Sequence, residues 1–409
     1  MESALAALPD GAQIFLPGAS GEPGGVMSAL YDGWPAGKRL KITTTFLPGI
    51  NVIDFDRLDP AIEVAGLFLP REYADAARLG QYRHVPISYA AFGRWIDTQA
   101  RFDATLVQVS PPDRDGRYSL GPSVEYTMQA IARSDNVIAV VNPNVPFMPL
   151  APALTADMIT MICASDAALP TYAVASDDQS TAVAQQVAKL IDDGTALQIG
   201  IGKIPGALLG QLQDRRNLRF WSGLVSDGVM DLVAACVTPA DGIGHACLCL
   251  GTTEFYEWLR NRRDIVLHGC DRSHNTAIMQ GIDGFVAVNG AVEVDLFGQC
   301  NLERIGGRSL SGAGGAPDFA SAARRGIRSK SIVALPAQAG GKSRIVPVIG
   351  AEAMVTLSRT EIDYVVTENG IADLRFASVP ERAERLIEIA APDHRDELRT
   401  AWQNIMDRL

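Results

Sequence analysis

The sequence has no hydrophobic run long enough to cross a membrane and no excess of positive charge. Its best apolar window, residues 158–164, is far shorter than the roughly 20 residues that a spanning helix needs. Lys and Arg total 36 against 47 Asp and Glu, so clustered cations for nucleic-acid phosphates are not expected. The first residues also lack the basic and apolar regions of a signal peptide. These absences predict a cytoplasmic protein that binds neither membranes nor nucleic acids.

Cysteine is scarce, with six residues in a chain of 409. Only one residue separates Cys247 from Cys249, and no second pair stands at the spacing of a zinc site. The spacing therefore predicts no metal. Six scattered thiols are typical of a reducing compartment, where disulfides do not persist.

Short apolar runs of strand type alternate along the chain with helical patterns. The runs include residues 13–16, 40–44, 104–109 and 136–141, and residues 123–132 have helical periodicity. Continuous apolar strands that alternate with helices are typical of a mainly parallel α/β fold. The chain is too long for one ordinary core, so we expect two domains.

A polar, turn-like stretch near residue 180 gives the predicted domain boundary. An amphipathic helix over residues 180–193 and a strand over 195–199 then begin the β/α pattern again. We therefore predict an N-terminal α/β domain over residues 1–180. The C-terminal α/β domain, which would carry the ligand site, covers residues 181–409.

A glycine-rich turn over residues 200–206 follows a predicted strand and opens a predicted helix. Glycines allow a ligand to approach the backbone, and a helix N-terminus favours negative charge. The pattern is similar to the dinucleotide motif Gly-x-Gly-x-x-Gly, which suggests a nicotinamide or flavin enzyme. However, Pro205 precedes the third glycine, and no acidic residue ends a strand about 20 residues later. A tight structural turn and a ligand loop both remain open from this motif alone.

A second glycine-rich loop covers residues 311–319. Its run of glycines and alanines fits neither an ordinary helix nor an ordinary strand. Bare backbone N–H groups of this kind suit the oxyanion of a thioester, although a flexible linker is the alternative.

The sequence around these loops resembles the acetyl-CoA hydrolase/transferase family, which includes 4-hydroxybutyrate CoA-transferases. The resemblance runs over about residues 10 to 400 and rests on residues 108–124, 142–146, 197–232, 287–298 and 364–375. It implies two CoA-transferase-type α/β domains and an enzyme that moves CoA from an acyl-CoA to a small carboxylate such as acetate. It also implies a homo-oligomer.

The resemblance assigns roles to residues of this chain. Asn289 would lie at the thioester or the substrate carboxylate, and Lys342, which here follows its glycines rather than preceding them, would contact a CoA phosphate. Glu293 and Asp295 alternate with apolar residues and would face one side of a strand, so by their pattern alone we expect structural ion pairing near the domain interface rather than catalysis. The remaining CoA-binding and oxyanion residues are Gly200, Ile201, Gly202, Lys203, Ile204, Gly312, Gly314 and Gly315.

Gly223 stands where the family carries its nucleophilic glutamate. Glycine cannot form the acyl anhydride or the glutamyl-CoA thioester, so we expect ping-pong transfer to fall by more than about 10³-fold. Glu254 is one candidate replacement, although an exposed acid at a helix N-terminus is the expected interpretation. Glu368 resembles the nucleophile of another CoA-transferase branch, a similarity that we expect to be accidental.

A third solution needs no carboxylate at residue 223. Water or the acceptor could attack directly, oriented by Ser222, Ser226 or Asp227, which would make the chain an acyl-CoA hydrolase or a ternary-complex transferase. Trp221 is expected to alter the acyl pocket. A non-catalytic CoA-thioester binder or regulatory paralogue is the alternative of another class.

Overall fold

A computed structural model describes residues 1–235, 237–239 and 242–408. Contacts between the described residues divide the chain into two compact units. The first comprises Met1–Ala173, Gly223–Asp227 and Gly244–His274, and the second comprises Val174–Ser222, Gly228–Ile243 and Asn275–Leu409. Across the described ranges, no helix has the length and apolar character of a membrane span.

The first 173 residues fold into a β/α arrangement. Their strands are β1 (Ala12–Leu16), β2 (Leu40–Thr44), β3 (Ile62–Gly66), β4 (Tyr82–His84), β5 (Phe102–Val109), β6 (Tyr118–Ser119), β7 (Ser134–Val141), β8 (Ala153–Leu154) and β9 (Met161–Ala164). Their helices are α1 (Glu2–Ala6), α2 (Val26–Asp32), α3 (Ala74–Arg78), α4 (Tyr89–Thr98) and α5 (Thr127–Ile131).

The main sheet of this segment is parallel throughout. Its order is β4-β3-β2-β1-β5-β7-β9, and each neighbouring pair runs parallel. The central strand β5 is buried over nearly its whole length because helices and loops cover both faces of a parallel sheet. The continuous apolar sequence of β5 is therefore explained by its central position in the sheet.

The rest of the chain also alternates strands and helices, with several short extra strands between β14 and β23. Its strands are β10 (Ala196–Ile199), β11 (Arg219–Val225), β12 (Gly244–Cys249), β13 (Ile265–Leu267), β14 (Phe285–Gly290), β15 (Glu293–Asp295), β16 (Cys300–Asn301), β17 (Arg304–Ile305), β18 (Arg308–Ser309), β19 (Lys330–Ala334), β20 (Gln338–Ala339), β21 (Lys342–Ser343), β22 (Ile345–Val346), β23 (Tyr364–Thr367) and β24 (Gly370–Asp373). Its helices are α6 (Asp178–Ala188), α7 (Lys203–Gly210), α8 (Gly228–Ala234), α9 (Thr253–Leu259), α10 (Cys270–Ser273), α11 (Thr276–Met279), α12 (Ala316–Arg325), α13 (Val379–Ile389) and α14 (Arg395–Met406).

In the second unit the strand order is β11-β10-β14-β19-β23-β24, and all of these pairs except β23–β24 are parallel. In the first unit, β12 pairs with β13 in parallel. The prediction of an α/β fold with mainly parallel sheets is therefore confirmed. The predicted strands near residues 13, 40, 104, 136 and 195 are all present.

The helix predicted over residues 123–132 is shorter than expected and begins at Thr127. The backbone N–H of Val124 donates to Cys247 O, and Ser123 forms an antiparallel bridge with Leu248. Glu125 has a φ of 38°, which no helix tolerates. Pairing with a distant strand thus overrode the local helical periodicity.

Candidate functional site

The turn after β10 requires glycine at one position. Gly202 precedes α7 with φ 122° and ψ −179°, a region that essentially only glycine occupies. A Cβ on Gly200, by contrast, would have no atom within 4 Å. The turn therefore leaves open space at Gly200 and presents the first N–H groups of α7.

Asn289 lies beside this turn. β10 and β14 pair in parallel with Ile199 opposite Val288, so the next positions in the same register are Gly200 and Asn289. The Asn289 side chain is 7% exposed, and its Nδ2 finds no hydrogen-bond partner among the described residues. A buried amide donor without an acceptor is costly, which is the expected state of a group that binds a ligand oxygen.

The second glycine loop reaches the same edge of the sheet. α12 packs against β14 and leads into the parallel strand β19, so the helix begins at the carboxyl edge where Asn289 lies. Gly314 has a φ of 56°, and Gly315 is the N-cap of α12. Ligands of open α/β sheets bind at this edge, which here gathers both glycine loops and Asn289.

The predicted phosphate contacts differ in their surroundings. Lys203 Nζ lies 2.8 Å from Asp177 Oδ2, and the Lys203 ammonium holds the pKa of that carboxyl well below its usual range. Lys342 is exposed on the β20–β21 hairpin, whose turn residues Gly340 and Gly341 both have positive φ. Among the residues that the structure describes, Lys342 forms no ion pair.

Glu368 is held in a structural role. Its carboxylate accepts from Ala337 N at 2.8 Å and from Gln179 Nε2 at 2.8 Å. Gln179 Nε2 also donates to Gln338 O, so this network fixes the chain at the base of the Lys342 hairpin. Both carboxylate oxygens are thus engaged, and the expectation that the resemblance to a nucleophile is accidental stays a prediction.

Gly223 lies half-buried in β11, and its carbonyl oxygen accepts from the Cys247 thiol at 2.9 Å. The neighbouring Ser222 hydroxyl is fully buried and donates to Ile199 O at 3.0 Å, so it is committed to β10. Trp221 is 7% exposed and packs in a hydrophobic cluster with Phe285 and Phe319. The expected effect of Trp221 on an acyl pocket stays a prediction.

Glu254 is exposed in the first turn of α9, as its expected interpretation requires. Its helix is nevertheless tied to the segment after Gly223. The Asp227 carboxylate accepts from Thr252 N at 3.1 Å and from Thr252 Oγ1 at 2.5 Å, and Thr252 is the N-cap of α9. Asp227 is therefore already engaged, and its bonds fix the helix that carries Glu254.

Within the part of the chain that the structure describes, hydrogen bonds replace the ion pairing expected of Glu293 and Asp295. Asp295 is fully buried and accepts from Phe297 N, Gln299 N and Gln299 Nε2. Glu293 accepts from Asn301 Nδ2 at 2.9 Å. Both acids are structural, but amide donors take the place of cations because Asp295 closes a tight turn.

Gln198 was not singled out from the sequence. It lies in β10 at 3% exposure, and its Oε1 has no partner in the described part of the chain. The sequence could have indicated Gln198 only through its polar side chain inside an otherwise apolar strand.

Known proteins resemble this chain over almost its full length. The acetyl-CoA hydrolase/transferase N-terminal domain matches residues 1–151, and the C-terminal domain of the same name matches residues 251–402. A 4-hydroxybutyrate coenzyme A transferase of Clostridium kluyveri is 33% identical over 97% of this chain and 95% of its own. An acetyl-CoA hydrolase of Neurospora crassa is 27% identical over 71% of this chain and 63% of its own.

Solved structures agree with the sequence comparisons. RipA from Yersinia pestis superposes with a TM-score of 0.90 and 27% identity, covering 99% of this chain and 96% of RipA. Two matching domains, a relative above 30% identity along nearly the whole chain and a shared fold lead to one conclusion. This chain belongs to the acetyl-CoA hydrolase/transferase family.

Proposed function

We propose that this chain moves CoA from an acyl-CoA to a small carboxylate acceptor such as acetate. Asn289 carries the proposal. Its buried Nδ2 donor has no acceptor among the described residues, and it lies level with the first glycine of the turn before α7. Family membership supplies the class of substrate. Coenzyme A then enters the reaction as part of the acyl-CoA substrate and is not a separate cofactor.

The backbone around Asn289 suits a thioester whose carbonyl oxygen becomes negative. The turn of Gly200, Ile201, Gly202, Lys203 and Ile204 opens α7, and the loop of Gly312, Gly314 and Gly315 opens α12. N–H groups at such helix starts stabilise developing negative charge without reorganising. Lys203 and Lys342 would meet the phosphates of CoA, and Lys203 would exchange its exposed partner Asp177 for a phosphate.

The group that attacks the thioester has still to be assigned, because Gly223 has no side chain. Glu254 is the candidate carboxylate for that attack, because the bonds between Asp227 and Thr252 tie the start of its helix to the segment that follows β11. An exposed carboxylate on a helix start can also move, which a buried one could not. We therefore assign Glu254 the substitute role in transfer.

Hydrolysis is the second candidate, and the missing glutamate favours it. Without a side chain at residue 223, water can occupy the place from which the family's carboxylate attacks. Ser226 is half-buried in the loop after β11 and forms no hydrogen bond with the described residues. Because Ser222 and Asp227 are already engaged, Ser226 is the candidate for orienting that water. Acetyl-CoA hydrolases also occur among the relatives.

The test is an acyl-CoA panel with and without excess acetate, in which mass spectrometry identifies every CoA product. Wild type, Gly223→Glu and Glu254→Gln are compared. We expect acetyl-CoA from wild type only when acetate is present, and loss of that product in Glu254→Gln. Glu257→Gln, which changes another exposed acid of α9, is the matched control and should leave transfer unchanged.

Other results would reassign the activity. Free CoA released regardless of acetate would identify a hydrolase. Silence in wild type together with transfer by Gly223→Glu would show that the natural chain binds CoA thioesters without turning them over. Gel filtration with light scattering would test the proposed homo-oligomer in the same preparations.

A further inference from the structure

Three soft metal-binding groups meet in the first unit although they are distant in sequence. Cys247 lies in β12, Cys270 is the first residue of α10, and His274 caps the end of that helix. One potential ligand atom from each residue lies within 4.8 Å of the others. The spacing of four between Cys270 and His274 puts both on one face of a helical turn.

The surroundings of this group are buried and largely apolar. All three residues are at most 1% exposed, and Cys247 and Cys270 lie in a hydrophobic cluster with Tyr89 and Leu224. Burial lowers the pKa of His274 to about 3. Burial also raises the pKa of the Cys270 thiol well above its ordinary value.

The imidazole is held in place by two further contacts. His274 Nδ1 lies 3.0 Å from Ser273 Oγ, and its ring centroid is 4.9 Å from that of Tyr89. Partners of this kind orient the histidine ligands of metal sites. The geometry is thus fixed on the imidazole side before any ion arrives.

The local sequence is also unusually rich in nitrogen and sulfur donors. Three of the five histidines and three of the six cysteines of the chain lie between residues 245 and 274. His245 Nδ1 is 2.8 Å from His268 Nε2, and both histidines stand two residues before a cysteine of the group. Chance distribution would not favour this concentration in a chain with so few of either residue.

We propose that Cys247, Cys270 and His274 form a buried site for a thiophilic divalent cation of the zinc class. Binding replaces two S–H bonds by two metal–sulfur bonds, and both protons leave to solvent. Two thiolates then balance the charge of the ion, and a neutral complex is the one that an apolar interior tolerates. Metal–ligand bonds of about 2.0 to 2.3 Å place ligand atoms roughly 3.5 Å apart, so the group needs only a small contraction.

The site would act on structure. It joins β12 to α10, and the same Cys247 sulfur now donates to the carbonyl oxygen of Gly223. A bound ion would use that sulfur as a ligand and would free the carbonyl. The ion would therefore cross-link β12 to α10 while removing one hydrogen bond from the backbone of Gly223.

The test uses the full chain, purified under reducing conditions and dialysed against zinc and, separately, against cobalt. We expect about one ion per chain by elemental mass spectrometry, and thiolate-to-cobalt charge-transfer bands in the near ultraviolet. Cys247→Ala and Cys270→Ala should each weaken binding by at least about tenfold. Cys249→Ala is the matched control, because Cys249 is equally buried on the same strand but outside the group.

The cobalt spectrum of wild type keeps the proposal testable even if a variant does not fold. Protein that retains no metal, or whose cobalt spectrum lacks thiolate bands, would overturn it. Equal retention by wild type, Cys247→Ala and Cys270→Ala would overturn it as well. A disulfide between Cys247 and Cys270 in freshly purified protein would show a redox pair instead. None of these outcomes depends on CoA turnover.

Discussion

At the scale of single residues, Asn289 combines an unsatisfied buried donor with a place at the carboxyl edge of the sheet. We expect Asn289→Leu to weaken acyl-CoA binding by about fivefold, because one hydrogen bond is worth roughly 1 kcal/mol. Thermal stability should not fall, since Nδ2 makes no hydrogen bond to any residue that the structure describes. Isothermal titration calorimetry and a thermal melt measure the two effects.

Ser331→Ala is the matched control for Asn289→Leu. Ser331 is also fully buried with a hydroxyl that lacks a partner in the described residues, but it lies near the start of β19 rather than at the carboxyl edge. Its loss should leave acyl-CoA affinity unchanged. Equal affinity for wild type and Asn289→Leu would remove Asn289 from the site.

At the scale of elements, the turn between β10 and α7 separates a backbone requirement from a ligand requirement. Gly202→Ala should reduce the free energy of unfolding by about 1 to 3 kcal/mol, because its φ of 122° suits only glycine. Gly200→Ala should unfold like wild type in urea, since the added Cβ meets no protein atom within 4 Å.

The same pair of variants tests the ligand. If CoA approaches the backbone of this turn, the Cβ of Gly200→Ala enters its space and acyl-CoA affinity falls while stability is retained. A Gly200→Ala protein with normal affinity would place CoA elsewhere. A stable Gly202→Ala protein would contradict the backbone conformation itself.

At the scale of the whole molecule, the first unit is built from separate segments of the chain. One of its hydrophobic clusters combines Phe15 and Tyr126 with Leu224, Leu248 and Leu250. A fragment of residues 1–180 lacks the last three. We expect it to bind a hydrophobic dye and to lose near-ultraviolet circular dichroism, because its core is incomplete.

A nicked full-length chain is the control for that fragment. Residues 174–179 are exposed, so a protease site can be placed there without disturbing the core. The nicked chain retains every segment and should keep its native spectrum. A well-folded 1–180 fragment would contradict the expectation and support an independent N-terminal domain. The division at residue 180 stays a prediction until then.

Much of the fold and part of the candidate site could be predicted because their signals are local. Apolar runs of strand length, glycines after a strand and a helix behind them are all contiguous in sequence, as at β10, Gly202 and α7. The absence of a carboxylate at Gly223 is likewise visible in the chain alone. The prediction of a helix over residues 123–132 was wrong at its start, because Val124 pairs with Cys247, more than a hundred residues away.

The sequence by itself determined the family, the parallel α/β pattern, both glycine loops and the loss of the glutamate. Only the tertiary structure decided that Glu368 binds Ala337 and Gln179, that the helix of Glu254 is fixed by Asp227, and that Cys247 meets Cys270 and His274. The reason is physical. Backbone pattern depends on neighbours along the chain, whereas the partner of a buried side chain depends on which distant elements pack against it.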